Sequence, residues 1–158
     1  MKIQLLLLVS IATLFFQCKS KKNSENVKVS IELTVKNDYC GGAAPSEEML
    51  KEMTDSKPFI NSKFYLVLKN EAGVVIAETE QTTDENGKLS LNIKKGMYEI
   101  YQNSIDQRKK LIENIDEKFR SCSSIYYEQP QAFLHAWTKG PQKIEMHLKC
   151  NPCLPPAP

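Results

Sequence analysis

Five cysteines and two histidines give this 158-residue chain most of its chemical latitude. Four of the cysteines are Cys40, Cys122, Cys150 and Cys153, and the last two form a Cys-Asn-Pro-Cys run. Three chemistries fit them. In an oxidising compartment four pairable thiols default to two disulfides, with three connectivities open. Alternatively, Cys150 and Cys153 with Cys40 and either His135 or His147 could hold a soft metal such as zinc or copper(I). One C-x-x-C is only half of a structural zinc signature, however, and no second close pair exists. A thiol-redox pair is the third reading, but such pairs normally begin a helix, which lowers the thiol pKa. Here the pair follows an alternating segment and precedes prolines. Two structural disulfides are therefore preferred, with no metal and no cofactor expected, and the metal or redox use of Cys150 and Cys153 is the alternative.

Other groups offer less. Asp84-Glu85-Asn86-Gly87 superficially suggests a calcium loop. Placing Gly87 at the sixth position puts Thr82 first and Ile93 twelfth, so the first and last ligands are missing and a turn is the better reading. Glu47 and Glu48 are explained by the dipole of a helix that Ser46 can cap. Tyr126, Tyr127, Phe133 and Trp137 could line a binding patch, although aromatic residues near strands are more often core. The Tyr39-Cys40-Gly41-Gly42-Ala43 stretch suits a bridged loop better than a ligand loop. There is no nucleophile elbow, zinc helix, phosphate loop or dinucleotide fingerprint. No catalysis is expected.

The compartment is read from the N-terminus. A basic start is followed by the apolar run 5–16 and then by Gln17-Cys18. A dozen apolar residues suits a secretory signal and is too short to span a bilayer as a stable helix. An apolar run that stops at a cysteine before a polar, basic stretch resembles a bacterial lipoprotein signal, with Gln17 and Phe16 where smaller residues are usual. The resemblance implies that residues 1–17 are removed, that Cys18 carries lipid, and that 18–26 form a lipidated tether. Two or more acyl chains anchor firmly where one does not. Lys19, Lys21 and Lys22 could rest on anionic head groups. The anchor would sit in the outer membrane, facing the periplasm. The charge of +2 belongs to the whole chain, and the signal removes one of those cations, Lys2. Such a balance argues against nucleic acid as a partner.

The elements that must position the cysteines are mostly strands. Residues 27–36 alternate cleanly, with Val27, Val29, Ile31, Leu33 and Val35 on one side and polar residues on the other, as in a half-buried strand. A short helix is predicted over 47–53. Strands follow at 64–69, 74–79, 89–93, 97–102, 132–138 and 143–149, separated by turn signals. Residues 106–119 fit a helical face instead, through Ile112, Ile115 and Phe119. Composition, with 41% apolar and 25% charged residues, suits one globular domain over 27–150 and excludes a disordered polyelectrolyte. Residues 151–158 read as a cysteine- and proline-rich tail.

Residues 82–100 carry a distinctive pattern: Thr83 and Asp84, then Gly87, an alternating strand through Leu89 and Leu91, then Gly96 and Tyr98. Lys95 stands where proline is usual. The pattern resembles the carboxypeptidase-regulatory-like, transthyretin-like and Cna-B-like group of β-sandwich domains. The resemblance implies a mainly β, seven-stranded antiparallel immunoglobulin-like (prealbumin-like) sandwich with one or two short helical insertions. It implies no catalysis, because function on such scaffolds resides in grafted sites. In an immunoglobulin-like sandwich the first and last strands can lie side by side. That implies one bridge from Cys40 to the Cys150/Cys153 pair, and one from Cys122 to the other member. The chain is then expected to be a membrane-anchored, non-catalytic binding or accessory module of the cell envelope, with another envelope protein as a candidate partner.

Overall fold

The computed structural model describes residues 26–41, 44–137 and 139–153. The expected signal segment 1–17, Cys18, the expected tether before Asn26, Gly42, Ala43, Thr138 and the last five residues lie outside them. The elements are β1 (Asn26–Asn37), α1 (Glu47–Thr54), β2 (Lys57–Pro58), β3 (Lys63–Lys69), β4 (Val75–Thr82), β5 (Lys88–Lys94), β6 (Gly96–Tyr101), α2 (Ile105–Glu113), α3 (Glu117–Glu128), β7 (Ala132–Ala136) and β8 (Gly140–Leu148).

Two four-stranded sheets form a sandwich. In the first, β1 is central. It pairs antiparallel with β5 along its first half, antiparallel with β2 near its end, and parallel with β8 on its other side. The second runs β4-β3-β6-β7, antiparallel throughout. The alternating residues of β1 face the core as their pattern requires: Val27, Val29, Ile31 and Leu33 are buried, against Phe64, Leu66, Ile100, Leu134, Ile144 and Met146.

The mainly β sandwich agrees with expectation, and three details are corrected. Among the described residues there are eight strands rather than seven, because Lys57 and Pro58 form a two-residue strand against Val35 and Thr34. The sheets are not wholly antiparallel, since β1 and β8 run parallel over nine residue pairs from Val29↔Gly140 to Asn37↔Leu148. Among the described residues there are three helices, because the single helix expected over 106–119 is two. Asn114 ends α2, and Asp116 caps α3 by accepting from the Lys118 N–H. Helix α3 then continues to Glu128.

The helical pair lies on the outer face of the second sheet. Ser104 and Gln107 form a reciprocal capping box, and the Ile105 N–H donates to Glu78 of β4 at 2.7 Å. Val67 and Tyr101 point to this face and are almost fully buried, outside the main core. Arg108 lies 3.5 Å over the Tyr101 ring, and the Tyr101 hydroxyl reaches Glu99 at 2.7 Å and the Glu128 carbonyl at 3.0 Å. Among the described residues no helix is long and apolar enough to cross a membrane.

Candidate functional site

The cysteines come together where β1 and β8 end. Parallel pairing brings the two strands out side by side, with the Asp38 N–H donating to the Leu148 carbonyl. The residues just beyond meet as the bridge Cys40–Cys150, with Cα atoms 5.4 Å apart. Cys153, two residues after Asn151, bridges to Cys122 on α3 with Cα atoms 5.8 Å apart. The C-x-x-C run is therefore divided between two bridges. One closes the first sheet and the other ties the helical layer to the end of the chain. All four sulfurs are occupied, and this is one of the pairings that the sandwich resemblance implies. Asn151 supports the junction: its Nδ2 donates to the buried Ser123 hydroxyl at 3.2 Å, and its side-chain carbonyl accepts the Cys153 N–H at 3.0 Å.

Beside these bridges is a cleft of about 500 Å³ between the end of β6, the end of α3 and the end of β8. Its walls present the amides of Gln102, Gln129 and Gln131, the phenols of Tyr126 and Tyr127, the His147 imidazole and Lys149. Gln131 organises the floor. Its backbone N–H donates to Ile100, its carbonyl accepts from the His147 N–H, and its side-chain oxygen accepts from the Gln102 N–H at 3.0 Å. Tyr126 and Tyr127 meet edge to face at 5.1 Å, and the Tyr126 hydroxyl donates to the Lys149 carbonyl. Burial raises the Tyr126 pKa, helped by Tyr127 and by Asp38. The phenol is a neutral hydrogen-bonding group at any physiological pH.

His147 and Asp38 face each other at 2.7 Å, each about 42% exposed. A base with its orienting carboxylate is half of a nucleophilic triad. Among the described residues the His147 ring bonds no hydroxyl or thiol. Also among the described residues, no group of three or more His, Cys, Asp or Glu side chains is placed to share a metal ion. His135, the other histidine weighed as a ligand, is exposed on β7, at the opposite end of that strand from Ala132, and is not with the cysteines.

The signature residues form a structural unit. The Thr83 hydroxyl is buried, donates to the Phe59 carbonyl and accepts from the Ser62 N–H at 3.2 Å. Asp84 accepts from the Lys88 and Asn86 N–H groups at 2.7 and 2.8 Å, and these bonds hold its carboxyl below the usual range. Gly87 has φ +72°, and a Cβ there would stand 2.8 Å from the Leu33 carbonyl oxygen. Gly96 allows Leu68 close, and Tyr98 is buried with its hydroxyl donating to Lys94. Thr83, Asp84, Gly87, Gly96 and Tyr98 are thus turn and core residues.

The aromatic residues require a correction. Tyr126 and Tyr127 lie on a helix, and they line the cleft. Phe133 and Trp137 are 46% and 59% exposed rather than core. In β7 the inward residues are Ala132, Leu134 and Ala136, so the odd-numbered residues face out. His135 shares their parity, and that polar residue was the signal in the sequence. The cleft itself was not visible in the sequence, because its walls come from four separated segments. Compared with family models, curated proteins and solved structures, the chain has no significant match.

Proposed function

We propose that this chain is a lipid-anchored cell-envelope β-sandwich protein that acts as a non-catalytic binding module. The cleft braced by the two disulfides carries the reading. It is lined mainly by amide and phenol hydrogen-bonding groups, with His147 and Lys149 on its β8 side, a surface suited to a polar ligand. The disulfides fit an oxidising compartment, and the apolar run ending at Cys18 supplies the anchor. The finer prealbumin-like assignment is supported by the side-by-side placement of the first and last strands and by the Thr83–Gly87 turn.

Two measurements test it. Intact mass of the mature chain, alkylated without reduction, should show acyl chains on Cys18 and no alkylated thiol. Alkylation of Cys150 and Cys153, or bound metal, would favour the redox or metal reading instead. NMR titration of the full chain with neutral oligosaccharides and short neutral peptides should shift the signals of Tyr126, Tyr127, Gln129 and Gln131 first. No shift in the cleft with any probe would remove it as the binding site.

A further inference from the structure

The end of the sandwich opposite the disulfides combines exposed apolar side chains with exposed cations. Strand register places its members. Asn26, where β1 begins, pairs with Lys94 at the end of β5, and β6 starts two residues later with Gly96 opposite Ala136. The β7–β8 connection and the β3–β4 turn come to this same end. Across it Val74, Met97 and Trp137 are 60%, 49% and 59% exposed, from three different segments of the second sheet. Around them Lys28, Lys94 and Lys139 are exposed and make no ion pair among the described residues, and Lys95 is close by in sequence. Glu71 is the acidic residue of the turns at this end, while Lys69 is neutralised by Glu99 at 2.7 Å.

We propose that this end face docks on the head groups of an anionic bilayer, with Trp137 at the interface. This rests on the lipid-anchor reading above. Seven residues lie between Cys18 and Asn26, so even a fully extended tether reaches only about 30 Å. The described chain begins on this face, so an anchor at Cys18 brings this end, and not the cleft, to the membrane. The chemistry then matches. Tryptophan favours the boundary between head groups and acyl chains. Lysines near an anionic surface each add roughly a fivefold preference at moderate salt. The apolar residues are few and spread, so the face adheres to the surface and does not insert. The acyl chains supply the membrane affinity and the face sets the orientation.

Trp137 is the only tryptophan of the chain, so it reports on this face directly. The full-length protein, lipidated in a bacterial host, would be reconstituted in vesicles of neutral phosphatidylcholine, with or without about one-third phosphatidylglycerol. Lipids brominated near the head group serve as quenchers. The expected result is a blue-shifted Trp137 emission, with quenching at least twofold stronger in the anionic vesicles. Raising salt should weaken it, because charges are screened within about 10 Å at 0.1 M. The variant Lys94→Glu/Lys139→Glu, which alters only exposed side chains, should remove the difference between the two vesicles. A lipidated chain whose Trp137 is quenched equally weakly in both overturns the docking face and leaves the anchor standing. A chain without acyl mass overturns both. A blue shift that needs no vesicle and grows with protein concentration assigns the face to a second copy and also overturns the proposal.

Discussion

At the residue scale, the most constrained position is Gly87. Its φ of +72° disfavours any side chain, and the oxygen that a Cβ would meet belongs to the backbone of β1. Gly73 has nearly the same φ, +76°, with open space around it. The pair separates conformational cost from collision. Gly73→Ala should lose about 1 kcal/mol and Gly87→Ala about 2–4 kcal/mol in urea unfolding. Equal losses would mean that β1 yields to the added methyl. Two ionisable groups make pH predictions of opposite sign. Asp84 has a depressed carboxyl, caused first by the Lys88 N–H. Its contribution is present above the ordinary carboxylate pKa and fades as pH falls through the folded value, so Asp84→Asn should flatten the acid limb of the stability profile. Tyr101 is pushed up to about 12, chiefly by burial and then by Glu99. Its contribution is complete below the ordinary phenol pKa near 10 and is lost as pH rises toward 12. Tyr101→Phe should remove the last phenol to ionise in an ultraviolet titration and lessen the alkaline loss of stability. These turn residues were legible in the sequence because a turn is local: Asp84 and Gly87 need only their neighbours to define it. The exposure of Trp137 was not, since bulk suggested core while the parity of β7 placed it outside.

At the element scale, the two bridges secure different structures. Cys40–Cys150 spans 110 residues of sequence and joins strands that already pair along nine positions. Cys122–Cys153 spans 31 and holds a helical layer with little core of its own. Helix α2 has no buried residue and α3 has only Ser123. The loop-entropy model gives about 5 kcal/mol for the longer bridge and about 4 kcal/mol for the shorter. The cost should be distributed differently in space. Cys122→Ser/Cys153→Ser should release amide protection along 105–128 while the strands stay protected in hydrogen exchange. Cys40→Ser/Cys150→Ser should instead lower the global unfolding midpoint. Uniform loss of protection in the first variant would show that the helices and the sandwich unfold as one unit. The division between α2 and α3 was hidden because Ile112, Ile115 and Phe119 keep helical spacing across the break. Only the competition of Asp116 for the Lys118 N–H marks it. The strands were easier to read, since one wet face imposes a period of two.

At the scale of the whole molecule, the two ends differ in chemistry. The disulfides, the His147–Asp38 pair and the amide-lined cleft stand where β1 ends, and the lysines with Trp137 stand where it begins. No window of sequence contains this polarity, because parallel pairing of β1 with β8 and the antiparallel meander decide which turns share an end. It has a geometric consequence for an anchored protein. Twelve residues of β1 rise about 40 Å at roughly 3.3 Å each. Two sheets about 10 Å apart and a helical layer make the molecule thinner across the strands, about 30 Å. Standing on the lysine-rich end, as proposed above, the domain would hold its cleft open to solvent on the side away from the membrane. Lying on a sheet face, it would press either the helices or the first sheet against lipid. Neutron reflectometry of the lipidated protein on a supported anionic bilayer should therefore resolve a protein layer about 40 Å thick. Lys94→Glu/Lys139→Glu should broaden that layer or thin it toward 30 Å, because the anchor remains and the orienting charge is reversed. A wild-type layer already near 30 Å would mean that the tether lets the sandwich lie down, and the cleft would then meet its ligand close to the membrane surface.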